Sequence, residues 1–414
     1  MHIAYCSLLL PEDKRISERT KKRLPGISLH KFTSAIIQGL DQNLEDTVDV
    51  FNIINTLNYP DFPQLIFPTE KWSHTQGAND WHIGYLNLFG IKYMTQAEGL
   101  YQKLCKWVKS KGDEPCMICV HHIYFPAMYA ATRVKRKFGD RVKLCLITGD
   151  MNGQYGLVAQ SEKSLKQWLT LYLEKWVDKL ATGFDCFVFA TKYMAEAFGV
   201  ADKPFVVVEC AYSEPSYYMS LEDTSQEDEK IIFYAGALRE EYGIPHLLRA
   251  FSMIEDPSYR LWLAGGGNAE KIIAEYAQKD PRIEFLGFIT PQEVDIRQKK
   301  STVLVSARTT ERPFVKYSFP SKTMEGLASG KPYIAHKLPC DPDEYADFIQ
   351  YADDESDEAL RNKIVQICQL SREERDAISR KAREFVLREK NPKMMCKRIA
   401  DMWKSVLCCG EECV

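Results

Sequence analysis

Ser318-Phe319-Pro320-Ser321-Lys322-Thr323-Met324-Glu325-Gly326-Leu327-Ala328-Ser329-Gly330-Lys331-Pro332 reads as a short helix with an anion-binding start. Pro320 suits a first helical position, Ser321 and Thr323 set hydroxyls beside unpaired backbone N–H groups, and Lys322 adds a full charge at the positive end of the helix dipole. Glu325 follows one turn on. It either accepts hydrogen bonds from ribose hydroxyls or pairs with Lys322 as an ordinary i,i+3 ion pair. Gly330 supplies a left-handed stop and Pro332 blocks continuation, so the chain passes directly into the apolar run Tyr333 to Ala335.

Outward from this helix, short apolar runs alternate with longer amphipathic ones, the pattern of parallel sheets with crossover helices. Strands are expected at His2 to Cys6, Thr47 to Phe51, Met117 to Val120, Val142 to Ile147, Cys186 to Ala190 and Phe205 to Glu209. A second series runs Lys230 to Ala235, Tyr259 to Ala264, Ile283 to Leu286, Thr302 to Ser306, Tyr333 to Ala335 and Phe348 to Tyr351. Between Ala211 and Lys230 the chain turns polar and loses apolar periodicity, which marks a linker. The expected fold class is therefore α/β, with two Rossmann-like doubly wound domains over residues 1–212 and 213–390. A last helix at about 391–414 is expected to pack back on the first domain. Two such domains facing each other would set the carboxyl ends of both sheets on a shared cleft.

The 414 residues carry a formal net charge of −3 with 45% hydrophobic and 27% charged residues, which disfavours disorder and a nucleic-acid partner. The 13 cysteines are odd in number and sit mostly in apolar runs, as reduced cysteines do in a cytoplasmic protein. Cys116 and Cys119 have CxxC spacing, yet in a strand positions three apart face opposite sides, so they read as core. No apolar run is long enough to span a bilayer.

Three more loops follow expected strand ends. Gly236 to Gly243 contains Arg239, which could clamp a phosphate. Gly265-Gly266-Gly267 fails the dinucleotide fingerprint because Glu270 stands where a glycine or alanine is required. Gly287-Phe288 could read the edge of a base. Arg308, at the end of another strand, is a candidate for a second phosphate or substrate contact. The pair Asp341 and Asp343 has DxD spacing but lies in a Pro-rich turn, and no metal site is expected.

These loops and the string Ser318 to Glu325 with Ala328 to Pro332 resemble the donor-binding domain of retaining glycosyltransferases of family 4, which have the two-domain GT-B fold. The first half, at Asn87 to Lys92, Asp185 to Met194 and Val207 to Glu209, is similar to bacterial transferases of surface or capsular polysaccharide assembly. The resemblance implies transfer of a sugar from a nucleotide-diphosphate sugar with retention, the leaving diphosphate being stabilised by Arg239, Arg308 and Lys322 rather than by a metal, and with no cofactor. Gly236, Gly265, Gly266, Gly287, Phe288, Ser321, Thr323 and Glu325 would hold the donor. Three positions depart from the family pattern: Tyr317 replaces the first glutamate of the family's pair, Tyr242 replaces a lysine of the phosphate-binding turn, and Ala237 replaces its arginine.

On the acceptor side, His121, His122 and Tyr124 follow one expected strand and Asp150 another. The acceptor would be a glycan or lipid-linked molecule. A basic cluster, Lys14, Arg15, Arg19, Lys21, Lys22, Arg23 and Lys31, and an amphipathic helix over 164–180 suit either peripheral contact with anionic lipid at the inner face of the membrane or simple solvation and packing. Two other functional classes fit the architecture: a catalytically silent GT-B protein that partners another transferase, and an epimerase or phosphorylase.

Overall fold

A computed structural model describes residues 1–10, 27–151 and 176–408. The expected helix over 164–180 lies largely outside these residues, as do Lys14, Arg15, Arg19, Lys21, Lys22 and Arg23. The chain divides into two compact units, Met1–Ala211 with Pro392–Val414, and Tyr212–Asn391.

In unit 1 the strands are β1 (His2–Ser7), β2 (Asp49–Asn52), β3 (Ile66–Phe67), β4 (Glu70–Trp72), β5 (Asp80–His82), β6 (Tyr85–Leu86), β7 (Cys116–His121), β8 (Val142–Thr148), β9 (Cys186–Phe189) and β10 (Phe205–Val207). Eight form one sheet in the order β10-β9-β8-β7-β1-β2-β5-β4. Its neighbours are parallel except β4, which runs antiparallel to β5. Helices cover both faces, so the central strands are apolar throughout. All six residues of β7 are buried, Cys116 and Cys119 among them. β3 and β6 form a separate antiparallel pair that two-residue strands leave without a readable alternation in sequence.

The helix Pro392–Cys408 completes unit 1. Met395, Cys396, Ile399, Met402 and Trp403 recur on one face at helical spacing and join the core formed by Ile36, Ile37 and Leu40 of helix Ile27–Asp41. The two helices meet closely at Gly39, where an added Cβ would stand 2.2 Å from the Pro392 carbonyl oxygen.

Unit 2 carries β11 (Lys230–Ala237), β12 (Tyr259–Gly266), β13 (Ile283–Gly287), β14 (Val303–Ser306), β15 (Tyr333–Ala335) and β16 (Gln350–Tyr351). The order β13-β12-β11-β14-β15-β16, parallel throughout, is that of a doubly wound nucleotide-binding sheet. The connections reverse direction between β11 and β14, and ligands of such sheets bind outside the carboxyl ends at that point. Helix Ile244–Ser252 buries Leu247, Leu248 and Phe251, and Asp357–Gln369 buries Ile364 and Ile367, against Ile232, Leu261 and Val303.

Candidate functional site

The carboxyl ends of β11, β12 and β13 are lined by glycine. Gly236 pairs with Gly265, Ala237 with Gly266 and Ala264 with Gly287, so the backbone of three neighbouring strands is bare at one edge. Gly265 has φ +129° and an added Cβ would fall 1.8 Å from the Gly236 carbonyl oxygen, a position only glycine can occupy. The loops beyond these strands are tied together by Asn268, whose Oδ1 accepts from the Glu240 N–H at 3.0 Å while its Nδ2 donates to Glu241 at 3.1 Å. Phe288 is 86% exposed, and a Cβ on Gly266 would meet its ring at 2.3 Å. An aromatic face therefore lies open beside the glycine edge.

Arg308 follows β14 and knits the rest of the edge together. Its guanidinium lies 4.3 Å over the Tyr242 ring and 5.7 Å from that of Phe314, and its Nη1 donates to the Ser318 carbonyl at 3.2 Å. Gly243, with φ +82°, lets the Tyr242 turn press against Ala307, since a Cβ there would stand 1.8 Å from the Ala307 oxygen. Arg308 is 8% exposed, and among the described residues no carboxylate lies within salt-bridge distance of it. A buried cation lacking a carboxylate partner is held by carbonyls and π faces, and it favours an anion.

The other two predicted cations are differently placed. Arg239 pairs with Glu241 at 3.1 Å, and Lys322 pairs with Glu325 at 2.5 Å. Of the three expected cations, Arg239 and Lys322 thus stand in ion pairs, while Arg308 has no carboxylate within salt-bridge distance among the described residues. The Lys322–Glu325 pair has side chains 41% and 24% exposed. Such a solvated pair is worth about 0–1 kcal/mol, so an arriving phosphate can take the lysine at little cost.

The helix Ser321–Ala328 begins one residue later than expected, because Pro320 keeps an extended ψ of 104° as its cap residue. Ser321 stands exposed at its first position. Thr323 is 3% exposed with its hydroxyl 3.3 Å from the Tyr333 hydroxyl. Asp341 accepts from the Leu338 N–H and from the Tyr351 hydroxyl, both at 3.0 Å, the partners of a turn.

Unit 1 gathers a second set of polar groups at the end of β7. His121 Nδ1 and the Tyr5 hydroxyl share a hydrogen bond 2.5 Å long. His122 stacks on it with centroids 4.7 Å apart and holds a left-handed φ of 75°, a strained state for a side-chain-bearing residue. Burial, together with the neighbouring His122, holds His121 well below the usual histidine range, and burial brings His122 down to about 4. Both rings are neutral near pH 7. The Tyr124 hydroxyl donates to Gln96 Oε1 at 2.6 Å. The Nε2 atoms of His121, His122 and Gln96 are buried without a hydrogen-bond partner among the described residues, an unusual cost unless a ligand satisfies them. Asp150 lies exposed one loop away, its backbone tied to the Thr148 hydroxyl.

Sequence reasoning missed Gln96 and Lys92, both buried on helix Lys92–Ser110. Their spacing of one helical turn places two polar groups on one face, the available signal. Lys92 is 2% exposed and donates to the Thr56 carbonyl; burial lowers it to about 8.

Residues 222–385 match the family described as glycosyl transferases group 1. A stretch of 119 residues, 28% of the chain, is 31% identical to the alpha-monoglucosyldiacylglycerol synthase of Streptococcus pneumoniae, and spans 26% of that protein's own length. Among solved structures, sucrose-phosphate synthase from Thermosynechococcus elongatus superposes with a TM-score of 0.64 at 16% identity, over 99% of this chain and 100% of that one. HepE from Anabaena, solved in complex with UDP, superposes with a TM-score of 0.59 at 14% identity, over 98% and 100%. Residues 222–385 thus carry the glycosyl transferases group 1 sequence, and the chain as a whole has the GT-B fold.

Proposed function

We propose that the chain is a retaining glycosyltransferase of family 4 that moves a sugar from a nucleotide-diphosphate sugar to a glycan or lipid-linked acceptor in surface-polysaccharide assembly, working in the cytoplasm at the inner face of the membrane. The observation that carries this reading is Arg308, buried without a carboxylate partner among the described residues, beside strand ends stripped to backbone. As the bond from the sugar to the diphosphate breaks, negative charge grows on the leaving oxygens. A cation already fixed in a poorly solvated place stabilises that charge without reorganisation. In this reading Arg308, joined by Lys322 once it leaves Glu325, takes the role a metal would otherwise fill, while Phe288 offers its face to the base and Glu325 accepts from the ribose. The UDP complex of HepE supports a nucleotide donor. His122, Tyr124 and Gln96 orient the acceptor hydroxyl in unit 1. Turnover of a panel of nucleotide-sugars by purified protein in the presence of a metal chelator tests the reading: release of nucleoside diphosphate supports it, and no release with any donor or acceptor sinks it.

The pairing of Arg239 with Glu241 and the presence of Tyr242 in the phosphate-binding turn favour one second reading, a catalytically silent protein that binds the nucleotide-sugar for a partner transferase. Saturable nucleotide binding with no turnover would select it.

A further inference from the structure

Among the described residues fifteen large hydrophobic side chains stand exposed, and eight of them fall between residues 57 and 94. Phe89 is 85% exposed, Ile66 65%, Met94 59%, Tyr93 47%, Leu57 46% and Tyr59 44%. The segments that carry them are tied together. Asn87, fully buried, donates from Nδ2 to the Leu57 and Gln64 carbonyls, its backbone oxygen accepts from Tyr59, and its N–H reaches the Leu65 carbonyl. Ile66 pairs with Leu86 in the β3–β6 ribbon, and buried Lys92 fixes the Thr56 carbonyl next to Leu57. Residues 57–69 and 85–95 carry only Asp61 and Lys92 as charged groups, and Lys92 is buried. A soluble surface rarely leaves so much apolar side chain uncovered in one place without a ligand or partner for it.

The face continues into the polar cluster of unit 1. Tyr93 and Met94 stand on the first turn of the helix that carries Gln96, and the Tyr93 ring lies 6.2 Å from that of Tyr124. An uncharged apolar surface therefore adjoins Nε2 atoms of Gln96 and His122 that have no hydrogen-bond partner among the described residues. Resting on the transferase reading above, we propose that this face seats the hydrocarbon chain of an amphipathic acceptor, whose hydroxylated head satisfies Gln96, His122 and Tyr124. The polarity along the surface matches such a molecule: apolar over Leu57, Ile66 and Phe89, aromatic with a hydroxyl at Tyr93, and hydrogen-bonding beyond Tyr124. A wholly polar glycan would leave the exposed side chains uncovered, and the lack of charge gives an acidic or basic protein nothing to pair with.

The test is calorimetry of the full chain with glucose, hexyl β-glucoside and octyl β-glucoside, the last two below their micelle concentrations. Affinity is expected to rise by about tenfold from hexyl to octyl, given roughly 0.8 kcal/mol per buried methylene. The rise should vanish in Phe89→Ser/Met94→Ser, two exposed sites whose replacement leaves the melting temperature unchanged. Gln96→Leu should lose discrimination between octyl glucoside and octanol while keeping the chain-length effect. Nucleoside diphosphate binding, measured in the same samples, separates the two claims: intact nucleotide binding with no chain-length effect overturns the proposal alone, and a chain-length effect without nucleotide binding overturns the transferase reading alone. Sedimentation with neutral vesicles without preference for a hydroxylated head, or self-association lost in Phe89→Ser/Met94→Ser, would show that the face serves a bilayer or a protein, and would also overturn the proposal.

Discussion

The guanidinium of Arg308 rests 4.3 Å over the ring of Tyr242, and that ring stands where the family resemblance expects a lysine. The ring is a platform that holds a cation in place. Because the stack is largely removed from water, it is worth about 1–2 kcal/mol. Tyr242→Ala should therefore free Arg308 to move and weaken nucleoside diphosphate binding by about five- to tenfold, while Tyr242→Phe, which keeps the face, binds as wild type in calorimetry. Equal loss in both variants would assign the effect to the hydroxyl and contradict the stack.

The glycine edge makes a stability prediction. Gly265→Ala would place a Cβ 1.8 Å from the Gly236 oxygen at a φ of +129°. We expect a loss of at least about 1–3 kcal/mol from backbone strain alone, seen as a lower urea midpoint. Gly287→Ala, also at positive φ but with open space around it, should cost less. Indistinguishable midpoints for the two would show that β11 and β12 part without cost.

A pH dependence comes from unit 1. His74 is held between Asp41 and Asp80, Nε2 to one at 2.8 Å and Nδ1 to the other at 2.7 Å, and the carboxylates also accept from the amides of Val48, just before β2, and Val50, within it. Burial works against the charged ring, but the two carboxylates outweigh it and raise His74 to about 9. The folded state thus keeps a proton that the unfolded chain releases near the ordinary value of about 6.5. The stabilisation is complete below about 6.5, shrinks as pH rises and is gone above about 9. Urea unfolding should show a loss on the order of 2 kcal/mol between pH 6.5 and 9, absent in His74→Gln. A wild-type curve flat over that window would contradict the clasp.

Helix Pro392–Cys408 should behave as part of unit 1. Trp403 is fully buried, so Trp403→Ala should cost about 3–5 kcal/mol. Gly39→Ala, whose Cβ would meet the Pro392 oxygen at 2.2 Å and the Cys396 sulfur at 2.6 Å, should be comparably harmful. Hydrogen exchange should report both as lost protection in helix Ile27–Asp41. Unchanged protection there would contradict the packing.

Much of this fold is legible in the chain because its central strands are buried on both faces and read as unbroken apolar runs. Tyr333 to Ala335 is a strand in both readings, and the β14 strand starts one residue after the expected Thr302. The β3–β6 ribbon was invisible, since strands of two residues with an exposed Ile66 show no alternation. At the site, glycines after strands and Arg308 at a strand end could be placed from sequence because backbone geometry demands them. What sequence could not supply is side-chain direction. Thr323 turns inward, Glu241 takes Arg239, and Gln96 sits buried with Lys92 on one face of its helix. Each of those outcomes depends on a neighbour far along the chain or on one rotamer, which no spacing records.

The most direct test of the central claim is titration calorimetry of UDP and GDP into wild type, Arg308→Ala and Lys322→Ala/Glu325→Ala. The account predicts saturable binding of at least one diphosphate by wild type, a loss of about ten- to a hundredfold in Arg308→Ala from one charged hydrogen-bonding group, and a smaller loss in the double variant, whose members already satisfy each other. Binding that survives Arg308→Ala unchanged, or no diphosphate binding at all, would contradict it.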